Sequence, residues 1–137
     1  MMRWMMATAL VLALVGPAAA DLQGGLDAYH AEDFSAAAHE LGRLAEIGDA
    51  EAQYRLGMMY DFGQGVNKNP AESARWLQLA AVQGHAEAQF ALGMKYDVGI
   101  GVPWSPAEAH WWVRQAAYQG LLEALDWLVT NGECNAC

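Results

Sequence analysis

The sequence predicts an all-α fold made by stacking helix hairpins, about seven helices in all. Three observations predict it. Two adjacent blocks, Asp49–Gly84 and His85–Gly120, align without a gap and agree at 20 of 36 positions. A fixed period of this length marks an architecture in which each unit buries its apolar face against the next. Apolar residues within each block recur at helical spacing, with Ala52, Leu56 and Tyr60 at i, i+4 and i+8, and Trp76 and Ala80 four apart. Cap and turn residues fall at the same places in both copies, so one hairpin design is used twice.

Each element of that design has its own warrant. The first helix opens at Ala50-Glu51-Ala52-Gln53, which returns as Ala86-Glu87-Ala88-Gln89. Gly57 and Gly93 lie inside it, where glycine costs roughly 1 kcal/mol against alanine. A cost repeated at one position implies a neighbouring backbone too close to admit a side chain. Gly63-Gln64-Gly65 and Gly99-Ile100-Gly101 form the loop. Asn69-Pro70-Ala71-Glu72 and Ser105-Pro106-Ala107-Glu108 then read as an N-cap, a proline in the first helical position and an N3 glutamate completing a capping box. The second helix carries Trp76 or Trp112 in its core, and Gly84 or Gly120 stops it in a left-handed conformation.

The run Ala-x-x-x-Leu-Gly-x-x-Tyr-x-x-Gly-x-Gly-Val, followed by Trp-x-x-x-Ala-Ala-x-x-Gly, resembles the Sel-1-like repeat family, a helix-hairpin relative of tetratricopeptide repeats. The resemblance covers about 72 residues in two full copies. It implies a right-handed α–α superhelix whose first-type helices line a concave face, and a role in binding other proteins. Ser73 departs from the family's small alanine, present here as Ala109, and is expected to be harmless.

The flanks follow from the same frame. Residues 1–20 read as a secretory signal peptide: Arg3 supplies a positive start, Ala7–Val15 is apolar, Gly16-Pro17 breaks the stretch and Ala18-Ala19-Ala20 suits cleavage before Asp21. The apolar part is too short for a membrane span, which takes about 20 residues. An uncleaved anchor is the alternative. The expected location is periplasmic or secreted. Residues 24–48 read as a degenerate first repeat, with Gly48 one period before Gly84 and Asp33 as N-cap of its second helix. Its turn lacks the glycine loop and is tighter. Residues 49–84 and 85–120 are the full repeats. Residues 121–130 copy only the first helix, with Val129 at the position of Gly93, and residues 131–137 form a tail.

The net charge of −9, or −10 without Arg3, disfavours nucleic acid and anionic lipid, since phosphate binding needs lysine and arginine. Basic partners are favoured. No cofactor, metal site or stable membrane insertion is expected, and the chain reads as a monomer. The Gly-x-Gly loops follow no strand and lack a third glycine, so they are not a dinucleotide fingerprint. His85-Ala86-Glu87 with Cys134-x-x-Cys137 superficially matches a zinc deaminase signature, but Glu133 stands where that signature needs proline. Cys134 and Cys137 suit a local disulfide in an oxidising compartment. A zinc half-site, a redox pair and intermolecular pairing are the alternatives. Trp104 and Trp111 are either packed or exposed anchors.

At about 100° per residue, Ala52, Leu56, Gly57 and Tyr60 define the buried side of the first-type helix. Glu51, Tyr54, Met58 and Asp61 point the other way, as do Glu87, Phe90, Met94 and Asp97 in the second copy and Glu123 and Asp126 in the cap helix. The expectation is an acidic concave groove, floored by aromatic and thioether side chains, that binds a basic and apolar protein or peptide without catalysis. The alternative is an envelope-associated enzyme or a small-ligand or cell-wall binder, for example one related to β-lactams or peptidoglycan.

Overall fold

A computed structural model of the chain describes residues 17–132. Seven α-helices and no strand occur among the described residues: α1 Pro17–His30, α2 Phe34–Glu46, α3 Ala50–Phe62, α4 Pro70–Val82, α5 Ala86–Val98, α6 Pro106–Tyr118 and α7 Leu122–Thr130. The disulfide reading of Cys134 and Cys137 lies outside the described residues, as does most of the leader reading of residues 1–20. Since α1 begins at Pro17, the Ala20–Asp21 junction lies within it.

Local chemistry sets the helix starts. Asp33, Asp49, Asn69 and Ser105 each accept a hydrogen bond from the backbone N–H three residues on. The expected capping boxes are only half formed. The N–H of Asn69 goes to the Tyr60 carbonyl at 2.9 Å and that of Ser105 to the Tyr96 carbonyl at 3.0 Å. That donor instead closes the hairpin, and Glu72 turns to Arg75. The α1–α2 link, residues 31–33, is tight as expected, with Glu32 at a φ of 60°.

Each helix packs chiefly on its neighbours in the chain, from α1 on α2 through α6 on α7. Three apolar clusters follow one another along the stack, centred on Leu41 and Met59, on Leu77 and Leu92, and on Val113 and Leu128. The helical glycines permit the closest approaches. A Cβ on Gly93 would lie 2.7 Å from Val113 Cγ2 and 3.1 Å from the Ala109 carbonyl oxygen. One on Gly57 would lie 2.9 Å from Leu77 Cγ and 3.3 Å from the Ser73 oxygen. The loop glycines seal one repeat to the next: a Cβ on Gly65 or Gly101 would fall about 2 Å from the Phe34 or Pro70 oxygen.

Three details depart from the expected core. Met59, not Tyr60, completes the fully buried stripe of α3, while Tyr60 is half-buried beside it. Ser73 is fully buried and its hydroxyl has no hydrogen-bond partner among the described residues, so it is not harmless: an unsatisfied buried hydroxyl costs about 1–3 kcal/mol. The recurring glutamines are structural. Gln53 donates to the Ala45 carbonyl and accepts from Gln83 at 2.8 Å. Gln89 does the same between Ala81 and Gln119. Each pair satisfies buried polar groups while tying three successive helices together.

Candidate functional site

Because α4 packs on both α3 and α5, the two first-type helices stand apart and leave a groove between them. Its volume is about 570 Å³. Tyr54, Met58 and Asp61 line it from α3, and Glu87, Phe90 and Met94 from α5, with Glu123 at the start of α7. Seven of the ten residues expected at a partner-binding face therefore line one cavity.

The other three do not line it. Glu51 is held in a local cluster: Arg55 Nε donates to it at 2.6 Å, and His85 Nε2 lies at 2.8 Å from its second oxygen. His85 also caps α5, its Nδ1 accepting the Ala88 N–H at 3.2 Å, so Nε2 carries the proton donated to Glu51. Its ring stacks on Tyr54 with centroids 4.7 Å apart. Burial pushes the Glu51 carboxyl up, but the hydrogen bonds and charges of His85 and Arg55 outweigh this and hold it below the ordinary carboxylate value. Burial raises the Tyr54 phenol. Asp97 repeats Asp61 one period later and lies outside the α3–α5 groove, as does the exposed Asp126 of α7.

The groove is also less acidic than the expected stripe. Lys95 occupies the position that Met59 fills in the first copy, is only 6% exposed, and forms an ion pair with Asp61. Lys68, from the loop after α3, adds a second positive charge. Position 95, the counterpart of 59, belongs neither to the buried stripe of 52, 56, 57 and 60 nor to the open face of 51, 54, 58 and 61, and loop residues fall outside any wheel. Both lysines were missed for those reasons. The apolar rim of Phe62, Val98 and Ile100 was missed too, although Phe62 and Val98 share one repeat position immediately before Gly63 and Gly99. All three rim residues are exposed.

The tryptophans divide by surface. Trp76 and Trp112 are core residues, while Trp104 and Trp111 are exposed, by 68% and 51%. Trp127 is half-buried against His110.

A family model described as Sel1 repeat matches residues 50–85 and 86–121, more than half of the chain. The chain belongs to the Sel1 repeat family. Solved Sel1-type structures share its architecture. A protective antigen present in uropathogenic Escherichia coli strains, displaying an SLR fold, is 32% identical with a TM-score of 0.78; the match covers 88% of this chain. This chain spans only 27% of that protein's length. A Sel1 repeat protein from Oxalobacter formigenes is 34% identical over 86% of this chain and 92% of its own, with a TM-score of 0.76. Helicobacter pylori cysteine rich protein B shares the fold at 18% identity and a TM-score of 0.66, over 81% of this chain and 94% of its own. No curated protein matches the chain. The fold is thus the right-handed α–α superhelix of Sel1 repeats. Proteins of this family commonly mediate protein–protein interaction, and the scaffold is typically non-enzymatic.

Proposed function

We propose that this chain is an interaction scaffold that binds a partner protein or peptide in the groove between α3 and α5, without catalysis and without a cofactor. One observation carries the reading. Tyr54, Met58, Phe90 and Met94 repeat at positions that leave them half-buried along an open groove rather than sealed in a core. Aromatic and thioether side chains so placed are adaptable anchors. Glu87 and Glu123, both exposed at the groove, favour basic groups on the partner. The leader pattern of residues 1–20 supports a periplasmic or secreted setting, with the protein acting as a monomer. No helix among the described residues is long and apolar enough to cross a membrane.

Affinity capture from an envelope extract tests the reading. Replacing Tyr54 and Phe90 together by Ala is expected to weaken capture by about tenfold or more, as loss of apolar anchors does. Replacing Glu87 and Glu123 by Gln is expected to cost no more than a few-fold and to act mainly through salt dependence. Undiminished capture by the aromatic double variant, with its helicity intact, would remove the groove as the site.

A further inference from the structure

The groove carries opposite charge at its two ends. Glu87 is the second residue of α5 and Glu123 the second of α7, and both are exposed. At the other end, where α3 and α5 run out into their glycine loops, Lys68 is exposed and has no ion-pair partner among the described residues. Asp61, the lining carboxylate from α3, is already neutralised by the buried Lys95. The positive end belongs to this groove rather than to the repeat. One period on, Lys68 becomes Trp104 and Lys95 becomes Asn131, and Asp97 has no lysine to meet. Between the ends lie Phe90, Met58 and Met94, with Phe62, Val98 and Ile100 at the rim.

We propose that the groove is a polarised cradle for a peptide segment basic at one end, apolar in the middle and acidic at the other, with the basic end toward Glu87 and Glu123 and the acidic end toward Lys68. The proposal rests on the groove reading above and sharpens its partner. The spacing is set by α5. From Glu87 to Val98 is eleven residues, about 16 Å at 1.5 Å per residue. An extended segment covers that distance in about five residues at 3.3 Å each. A segment basic throughout would place a positive group beside Lys68, and an acidic one would meet the two glutamates.

Four blocked hexapeptides with the shared centre Leu-Phe-Leu-Leu test this, ending in Lys and Glu, Glu and Lys, Lys and Lys, or Glu and Glu. Each is titrated into the full isotope-labelled chain while the backbone amides of Phe90, Met94 and Val98 are followed by NMR. The two mixed peptides are expected to shift these amides and to bind more tightly than either like-charged peptide. The margin is up to about fivefold for each charge pair gained. In Lys68→Glu the Lys/Lys peptide becomes the best ligand, and in Glu87→Lys/Glu123→Lys the Glu/Glu peptide does. A spin label at the acidic end is expected to broaden Val98 and Ile100 and to spare Glu123. If groove amides respond but the Lys/Lys peptide binds the unaltered chain as well as the mixed ones, or Lys68→Glu leaves the ranking unchanged, the polarity is wrong and the groove reading survives. If none of the four moves a groove amide, both fall.

Discussion

Alanine substitution at three helical glycines separates close packing from helix propensity. Among the described residues, no atom outside its own helix backbone lies within 4 Å of a Cβ built on Gly42, in α2, so Gly42→Ala keeps only the propensity gain and is expected to stabilise by about 0.5–1 kcal/mol. At Gly93 the added methyl meets Val113 Cγ2 at 2.7 Å, the Ala109 oxygen at 3.1 Å and the Val113 nitrogen at 3.4 Å. Two of these are backbone atoms and the third belongs to a β-branched side chain stiff at χ1, so α5 and α6 must part. Overpacking of this kind costs about 1–3 kcal/mol; after the propensity gain, Gly93→Ala is expected to lose about 1–2 kcal/mol. Gly57 is intermediate, because its closest contact, 2.9 Å, is to the Leu77 side chain and the backbone oxygen stands at 3.3 Å. Gly57→Ala is expected to lie within about 1 kcal/mol of neutral, and Gly57→Leu to cost at least the usual overpacking range. Urea unfolding followed by circular dichroism gives all four values, and a chain of this size shifts Tm by about 4 °C per kcal/mol. A Gly93→Ala variant stabilised as much as Gly42→Ala would refute the close-packing account of the repeat.

Other expectations follow from single side chains. Ser73→Ala removes a buried, unpartnered hydroxyl and installs the residue found at Ala109, so it is expected to stabilise by about 1 kcal/mol in the same urea assay. Gln89→Leu removes its bond to the Ala81 carbonyl, which keeps the Gly84 N–H at 3.0 Å, and its link to the solvent-exposed Gln119, so it is expected to cost about 0.5–1.5 kcal/mol per bond lost, whereas Gln119→Leu, at the exposed end of that link, costs less. Glu51 has a folded-state pKa below its ordinary value of 4.5, so the unfolded chain binds its proton first. Its contribution to stability is full above about pH 4.5 and is lost as the pH falls through the lowered folded value. Glu51→Gln is therefore expected to flatten the acid limb of a stability–pH profile; an unchanged limb would show that the Arg55–His85 cluster does not hold the carboxylate.

What sequence made legible was whatever repeats and has a local cause. The N-caps, the prolines after them, the left-handed Gly84 and Gly120, and the close-packed Gly57 and Gly93 each need one residue type at one spacing. Reading them required no knowledge of the neighbours. The half-formed capping boxes were not legible, because the Asn69 N–H is claimed by a carbonyl nine residues back across the loop. The glutamine links recur as plainly as the glycines, yet their partners sit on other helices, and nothing in Gln53 or Gln89 says which carbonyl it will reach. Lys95 escaped because its position lies between the two faces drawn on the wheel and its partner lies 34 residues earlier. The groove was half legible for the same reason: helix faces can be drawn from 100° steps, but which faces confront each other depends on how α4 spaces α3 from α5.

The claim that the α3–α5 groove is where a partner docks is tested most directly by site-specific photo-cross-linking. A photoreactive phenylalanine analogue is placed either at Phe90, within the groove, or at Tyr118, an exposed aromatic at the end of α6 outside it. Each protein is irradiated in envelope extract. A discrete adduct is expected from position 90, weakened by Tyr54→Ala, and none from position 118. An adduct formed at 118 and absent at 90 would contradict it.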